Sequence, residues 1–179
     1  MIYVFLADGF EEIEALTPVD LLRRANLQVA TVGVTGRCVT GAHGITITAD
    51  ITPVDISYET MEGIILPGGM PGTLNLEASS FVQESLNYAV SNRLLIAAIC
   101  AAPSILGHKG LLNGKRATCY PGFEETLQGA VISRDAVVTD GLFTTAKGAG
   151  VATEFALELI KRFKDQETAD TIRGAIQCR

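Results

Sequence analysis

The chain has 179 residues, of which 47% are hydrophobic and 6% aromatic, and it carries 14 Lys and Arg against 20 Asp and Glu. This length suffices for one domain with a core of aliphatic side chains. The net charge of −6 and the lack of a basic run disfavour specific nucleic-acid binding. Neither a signal peptide nor an apolar stretch long enough to span a membrane is evident, so we expect no membrane partner and a cytoplasmic location.

The four cysteines favour free thiols. Cys38, Cys100, Cys119 and Cys178 show neither a CxxC pair nor the spacing of metal ligands. We therefore expect a reducing compartment, no metal site and no cofactor.

Strand and helix patterns alternate along the chain. Apolar runs predict strands at residues 2–7, 27–34, 63–66 and 94–99, a hairpin across 39–48, and short strands at 131–133, 136–139 and 142–145. Helical patterns cover residues 11–25, 81–90, 101–106, 150–164 and 166–175. This alternation predicts one α/β domain with a mostly parallel sheet and helices on both faces.

Cys100 is the main candidate for a reactive residue. It follows the apolar run 94–99 and precedes the small residues 101–104, where a buried strand turns directly into a helix. Such a turn presents the side chain at the carboxyl edge of the sheet, often with strained backbone. The helix N-terminus is expected to lower the pKa of the thiol and favour the thiolate. The alternative is a small buried hydrophobe, since free cysteines are commonly buried.

Three glutamates open the first predicted helix. Glu11 and Glu12 are interpreted as carboxylates that complement the helix dipole. Glu14 lies between Ile13 and Ala15 on a helix that faces the core, where a carboxylate is costly without a partner. A buried carboxyl would have a raised pKa and could donate a hydrogen bond to a thiolate or an oxyanion.

Two glycines follow another predicted strand. Gly68 and Gly69 permit a plain turn. Alternatively, their N–H groups form an oxyanion hole beside Cys100, together with the amide of Ala101. Each candidate segment comes directly after a predicted strand, so a parallel sheet would bring the segments together at its carboxyl edge.

The motifs together resemble the ThiJ/PfpI superfamily, and within it the compact branch of bacterial ThiJ and human DJ-one-like proteins. The matching stretches are residues 8–14, 18–25, 66–69, 97–103, 139–141, 148–150 and 154–157. The resemblance spans nearly the whole chain. The Ala-Ile-Cys-Ala segment combined with the early Glu-Glu-x-Glu makes it specific.

The resemblance implies a flavodoxin-like three-layer sandwich formed by a single ThiJ/PfpI-like domain over residues 1–179, of the class I glutamine amidotransferase-like type. It also implies a homodimer with the first helix at the interface. Arg24, on that helix, is a candidate for a contribution of the second subunit to the site.

The resemblance also assigns roles to the candidate residues. It implies that Cys100 is the reactive nucleophile on a nucleophile elbow. Glu14 matches the protonated carboxyl that hydrogen-bonds the cysteine sulfur and stabilises its sulfinate form. Gly69 and Ala101 match the backbone amides that face the site, and Gly68 is an accessory candidate beside them.

One position departs from the superfamily pattern. Many relatives place a His before a Pro as the base partner of the nucleophile, whereas this chain has Tyr120 before Pro121. Tyr120 can donate a hydrogen bond, but the usual pKa of a tyrosine, about 10, makes it a poor base at neutral pH. His43, in the predicted hairpin turn, and His108, at the end of a helix, are interpreted as surface residues. Cys119 is interpreted as a structural thiol.

The resemblance leaves two main functional hypotheses. The first is a glyoxalase-type or deglycase-type enzyme, in which a Cys100 thiolate adds to methylglyoxal or to glycated protein or nucleotide adducts and Glu14 moves a proton. The alternative is a redox-responsive sensor or chaperone that acts through oxidation of Cys100. Relatives labelled as thiazole monophosphate biosynthesis proteins or PfpI-type peptidases suggest further roles by analogy. A peptidase needs a base within reach of the thiol, and the sequence shows none.

Overall fold

A computed structural model describes residues 1–178, so the last residue of the predicted domain, Arg179, lies outside the described residues. The strands are β1 Ile2–Leu6, β2 Val29–Gly33, β3 Cys38–Thr40, β4 Thr46–Thr48, β5 Gly63–Leu66, β6 Leu95–Ile99, β7 Arg116–Ala117, β8 Val131–Ile132, β9 Val137–Asp140 and β10 Phe143–Ala146. The helices are α1 Glu12–Arg24, α2 Gly72–Ala78, α3 Ser80–Ser91, α4 Pro103–His108, α5 Ala152–Phe163 and α6 Gln166–Ala175. Within residues 1–178, no helix has the length and apolar character that crossing a membrane requires.

Six strands form the central sheet, in the order β2-β1-β5-β6-β10-β9. Neighbouring strands are parallel except β9 and β10, which are antiparallel. Counted along the chain, the five parallel strands have the order 2-1-3-4-5, which is the flavodoxin-like order. The predicted fold class is therefore confirmed, as is the hairpin of β3 with β4; β9 and β10 form a second hairpin, which turns at Asp140-Gly141.

Helices cover both faces of the sheet. Successive side chains of a strand point to opposite faces, and the side chains of β1 divide in this way between two apolar clusters. Ile2, Val4 and Leu6 pack with side chains of α1, α5 and α6. Tyr3 and Phe5 pack with side chains of α2, α3 and α4. This arrangement explains why the central strands are continuous apolar runs rather than alternating ones.

The segments after β1, β5, β6 and β10 lie at the same edge of the sheet, because these four strands run parallel. The strand order reverses direction between β1 and β5, and ligands of such sheets bind at that reversal, outside the carboxyl ends. The fold thus brings together the three predicted segments and a fourth one, after β10.

Two elements were not predicted from the sequence. Helix α2 follows Pro71 and begins at a glycine, and strand β7 has only two residues, so neither produces a clear periodic pattern. Helix α4 begins at Pro103, two residues later than predicted, because Ala101 and Ala102 form a turn.

Candidate active site

Cys100 lies on a sharp turn directly after β6. Its φ of 66° is in the left-handed region, which costs a non-glycine residue about 1–3 kcal/mol. Two hydrogen bonds hold the residue there: its N–H donates to the carbonyl of Ala146 (2.9 Å), and its carbonyl accepts from the N–H of Tyr120 (2.8 Å). The predicted strained elbow is therefore present, and the side chain is partly buried at the sheet edge.

Glu14 is the buried carboxyl beside the Cys100 sulfur. Only 1% of the residue is exposed. Its Oε2 accepts a hydrogen bond from the N–H of Gly68 (2.9 Å), and it is also hydrogen-bonded to the Cys100 side chain and the Ala149 backbone. Burial, with a smaller contribution from the charge of Glu11, raises the pKa of Glu14 to about 7, although these hydrogen bonds oppose the shift. The predicted rise in the pKa of Glu14 is confirmed.

The Cys100 thiol has a raised pKa, so the predicted lowering is wrong. Burial, followed by the charge of Glu14 and its hydrogen bond with the thiol, raises the pKa of Cys100 to about 12. The backbone amides of Ala101 and Gly69 hydrogen-bond the sulfur and act in the opposite direction. The dipole of α4 does not outweigh these effects, because the helix begins three residues after Cys100.

The two side chains form one proton-sharing pair. Below a pH of about 7, Glu14 is protonated beside a neutral thiol. Above it, the pair holds one proton, and an ionised Glu14 is hydrogen-bonded to the Cys100 thiol whose proton it can accept. When the carboxyl holds that proton, the charge that raises the pKa of Cys100 is gone. An ionised Glu14 is thus in position to accept the proton of the Cys100 thiol.

Gly68 has a different role from the one predicted. Its N–H donates to Glu14, so it positions the carboxylate rather than an oxyanion. A Cβ at this position would lie 2.7 Å from both the Cys100 Cβ and the Glu14 Oε2, so only glycine fits between them. The amides that reach the sulfur are those of Gly69 and Ala101, as the resemblance implied.

The segment after β10 contributes to the site in a way that was not predicted from the sequence. The backbone of Ala149 hydrogen-bonds Glu14, and Gly148 lies between Glu14 and the ring of Tyr120. A Cβ on Gly148 would be 3.6 Å from Glu14 Oε1 and 3.3 Å from Tyr120 Cδ2. The available signal was a run of small residues, 148–150, directly after a strand that ends at the same edge as β6.

Tyr120 lies beside the Cys100–Glu14 pair, on the other side of Gly148 from Glu14. The residue is 50% exposed. With Pro121 and residues 147–151 it lines a cavity of about 300 Å³ that adjoins Glu14 across Gly148. The ring therefore forms part of the wall of this cavity.

Other candidates lie elsewhere. Arg24 is ten residues beyond Glu14 on α1, which is about 15 Å along the helix axis, and it forms an ion pair with Asp20 (2.8 Å). A role for it in a partner's site stays a prediction. His108 forms a 2.6 Å hydrogen bond with Glu77. Cys119 is buried in the core, where burial and then the charge of Glu124 raise its pKa to about 11, in line with a structural thiol.

Glu12 has a contact beyond the predicted complement to the helix dipole, whereas His43 is a surface residue as predicted. Glu12 is only 5% exposed. Its Oε2 lies 3.0 Å from Nδ1 of His43, and its Oε1 accepts the N–H of His43 at 2.9 Å. The ring of His43 is largely exposed, but it is tied to α1 through this contact.

The fold and this pair define a class of proteins: flavodoxin-like α/β sandwiches that carry a cysteine on a strand-to-helix elbow beside a buried carboxyl. The chain belongs to the DJ-1/PfpI family, whose model matches residues 1–162. It is 34% identical over 172 residues to protein dj-1beta of Drosophila melanogaster, with coverage of 94% of this chain and 92% of the relative. It is also 34% identical over 164 residues to the glutathione-independent glyoxalase DJR-1.2 of Caenorhabditis elegans, with coverage of 90% and 87%. The structure of oxidised Toxoplasma gondii DJ-1 superposes with a TM-score of 0.94 at 33% identity, covering 98% of this chain and 97% of that one.

Proposed function

We propose that this protein is a carbonyl-stress enzyme that uses Cys100 to convert small reactive aldehydes such as methylglyoxal, or their adducts on proteins or nucleotides. The observation that carries the proposal is the hydrogen-bonded pair of Cys100 with a buried carboxyl whose pKa is about 7. A base works best when its pKa lies near the working pH. The name of the Caenorhabditis relative, a glutathione-independent glyoxalase, supports the same chemistry.

The first step is addition of the thiol to the aldehyde carbon of methylglyoxal. A bond forms between the Cys100 sulfur and that carbon, while the sulfur proton passes to the Glu14 carboxylate. The carbonyl π electrons move to oxygen, and the amides of Gly69 and Ala101, which lie at the sulfur, stabilise the charge. Glu14 then returns its proton to that oxygen, which leaves a neutral hemithioacetal.

The second step is an internal proton shift that needs no external oxidant. Glu14 removes the hydrogen of the former aldehyde carbon as a proton and delivers it to the neighbouring carbon, while the hydroxyl proton of the first carbon passes to the ketone oxygen. The first carbon is oxidised to a thioester while the second is reduced to an alcohol. Water then cleaves the thioester, which releases lactate and restores the thiol, so that methylglyoxal plus water gives lactic acid.

A second candidate function is oxidation sensing through Cys100. The observation that favours it is the partly buried thiol beside a carboxyl that can hold a proton and two amides that can hydrogen-bond a sulfinate. Selective addition of two oxygens to Cys100 under mild peroxide, measured by mass spectrometry in a protein with no carbonyl turnover, would favour this role.

We propose a homodimer with α1 at its interface. Ile13 on α1 and Ile45 on the neighbouring hairpin are 53% and 54% exposed and line one pocket with Glu11, Glu12 and His43. Exposed apolar side chains grouped in this way are typical of contact surfaces. Light scattering should give twice the mass of the 19.0 kDa chain, and Ile13→Ser should favour the monomer.

We also propose a reducing compartment such as the cytoplasm. Cys38, Cys100 and Cys119 carry thiols rather than disulfides. Thiols at partly exposed positions persist where the surroundings are reducing.

The decisive experiment measures lactate formation from methylglyoxal, without glutathione, by the wild-type protein and by Cys100→Ser. We expect saturable turnover by the wild type and none by the variant. Cys38→Ser is the matched control, because this thiol is exposed on β3, outside the segments that form the elbow, and the variant should keep its activity. Equal turnover by the wild type and Cys100→Ser would contradict the proposal.

A further inference from the structure

Glu12 is a buried carboxylate that the proposed reaction does not use. It is the first residue of α1, two positions before Glu14, and 5% exposed. Its Oε1 accepts the backbone N–H groups of His43 (2.9 Å) and Ile45 (3.4 Å), and its Oε2 lies 3.0 Å from Nδ1 of His43. A Cβ on Gly41 would overlap this carboxyl, so the tip of the β3–β4 hairpin closes tightly around it.

The same hairpin holds the loop between β1 and α1. The N–H of Gly9 donates to the carbonyl of Thr40 (2.8 Å), and the N–H of Ala42 donates to the carbonyl of Phe10 (2.8 Å). The side chain of Asp8 accepts the N–H of Thr40 (2.9 Å). Residues 8–10 are therefore each hydrogen-bonded to the segment that Glu12 anchors.

The loop in turn holds the glycines of the active site. The N–H of Glu11 donates to the carbonyl of Gly68 (2.9 Å), and the N–H of Gly72 donates to the carbonyl of Gly9 (3.2 Å). Gly69, at φ 90°, rests so closely on the backbone of Gly9 and Glu11 that a Cβ would overlap them. The amide of Gly68 donates to Glu14, and the amide of Gly69 hydrogen-bonds the Cys100 sulfur.

We propose that Glu12 is a positioning residue: by locking the tip of the hairpin onto α1, it sets the loop 8–11 and, through it, the amides of Gly68 and Gly69 against Glu14 and Cys100. Its role in turnover rests on the proposed function, whereas its effect on the Cys100 thiol does not. Glu12 acts through backbone groups and does not itself contact the reacting atoms. Small displacements of such groups are costly, since a shift of about 1 Å can lower a rate by about 100-fold.

A cation site is the competing explanation for this cluster. Glu11, Glu12 and His43 each place one ligand atom within 4.8 Å of the others. The positive end of the α1 dipole disfavours a cation at this point, and the hairpin already occupies both oxygens of Glu12. The hydrogen-bonded lock accounts for the geometry, so incubation with EDTA should leave every rate below unchanged.

Asp50 provides a matched control. It lies just after β4 and also accepts three hydrogen bonds on one carboxylate, from the N–H and hydroxyl of Thr31 (2.8 Å each) and from Arg23 (2.5 Å). It ties the opposite end of the same hairpin segment to the body of the protein. Arg23 is nine residues beyond Glu14 on α1, so this anchor is remote from the reactive pair.

The test compares Glu12→Ala with Asp50→Ala, both assayed well below their midpoints of thermal unfolding. We expect both variants to lose stability. Glu12→Ala alone should lose about tenfold in kcat for methylglyoxal, with KM changed less than about twofold, because the substrate still binds but the amides are displaced. Glu12→Gln keeps an oxygen for the two backbone N–H groups and should recover part of kcat.

Alkylation of Cys100 by iodoacetamide, followed by mass spectrometry, separates the two proposals. Since the Gly69 amide lowers the pKa of Cys100, its displacement should slow alkylation in Glu12→Ala by about tenfold, the effect of one pKa unit on the thiolate fraction. This rate needs no turnover, so a wild type inactive on methylglyoxal would contradict the proposed function while alkylation still tests the role of Glu12.

Equal alkylation rates in Glu12→Ala and Asp50→Ala would overturn the role of Glu12. If Glu12→Ala does not fold, Glu12→Gln and Asp50→Asn carry the same comparison, and equal rates in these two variants would overturn it as well.

Discussion

Two buried carboxylates in the first turn of α1 show how neighbours decide the chemistry of one residue type. Glu12 and Glu14 are 5% and 1% exposed. Burial acts to raise the pKa of both. At Glu12 the hydrogen bonds from His43, with those from backbone groups of the helix start and the hairpin, outweigh burial and lower the pKa. At Glu14 burial prevails and gives a pKa of about 7.

The difference follows from the side of the helix on which each carboxyl lies. Glu12 faces the hairpin, which satisfies both of its oxygens and favours the charged form. Glu14 faces the sheet edge, where it is buried beside a thiol and two backbone groups. One carboxylate is suited to hold a segment in place, and the other to exchange a proton at neutral pH.

The largest effect is expected when the Glu14 carboxylate is replaced by a neutral side chain. Glu14→Gln keeps the shape of the side chain and an acceptor for the Gly68 amide but cannot take the thiol proton. We expect lactate formation to fall by about 10²–10⁴-fold, the usual contribution of a positioned acid or base. Steady-state kinetics with methylglyoxal measure it, and an unchanged kcat would remove Glu14 from the reaction.

The two carboxylates should also affect stability in opposite directions. The folded-state pKa of Glu14 is above its ordinary value of 4.5, so its contribution to the free energy of unfolding declines as pH rises from about 4.5 to 7. At pH 8, Glu14→Gln should therefore be more stable than the wild type by about 3 kcal/mol, at about 1.4 kcal/mol per unit of pKa. Urea unfolding at pH 5 and pH 8 measures this gain, which should be small at pH 5.

The contribution of Glu12 to the free energy of unfolding should show the reverse dependence on pH. Its folded-state pKa is lowered, so its stabilisation is present above pH 4.5 and is lost as the pH falls through its folded-state pKa. Glu12→Ala should cost about 1–3 kcal/mol at neutral pH, because hairpin amides lose their acceptor. The same urea series checks this, and a stabilising effect of Glu12→Ala at pH 7 would contradict it.

The pH dependence of turnover should follow Glu14 rather than Cys100. Glu14 must be ionised to accept the thiol proton, so kcat/KM should rise with pH through a midpoint near 7. Rates between pH 5 and 9 test this expectation. A profile that rises only at the high pKa of the thiol would show that free thiolate, and not the pair, is the nucleophile.

The smallest expected effect is a shift in the midpoint of the pH profile of kcat/KM when Glu11 is neutralised. The charge of Glu11 contributes to the raised pKa of Glu14. Glu11→Gln should therefore move the midpoint of the pH profile to lower pH by a fraction of a unit. Glu84→Gln, an exposed charge on α3, is the control and should leave the midpoint in place.

Particular residues show what local pattern could and could not predict. The elbow at Cys100 and the burial of Glu14 were predicted, because an apolar strand before small residues and a carboxyl among apolar neighbours are local signals. The role of Gly68 was not, since its partner Glu14 lies 54 positions away in the chain. The lowered pKa expected for Cys100 failed because the partners of the thiol outweigh the helix that follows it.

The sequence by itself determined the order of strands and helices, and hence a parallel sheet whose carboxyl edge gathers residues 8–14, 67–70 and 100. Hydrophobic periodicity acts over a few residues, so a single chain suffices to predict it. Only the tertiary structure decided which carboxylate is charged, which amide meets which atom, and that the segment after β10 completes the site. These properties depend on hydrogen bonds and burial contributed by distant segments, such as the hairpin that reaches Glu12 across 31 positions.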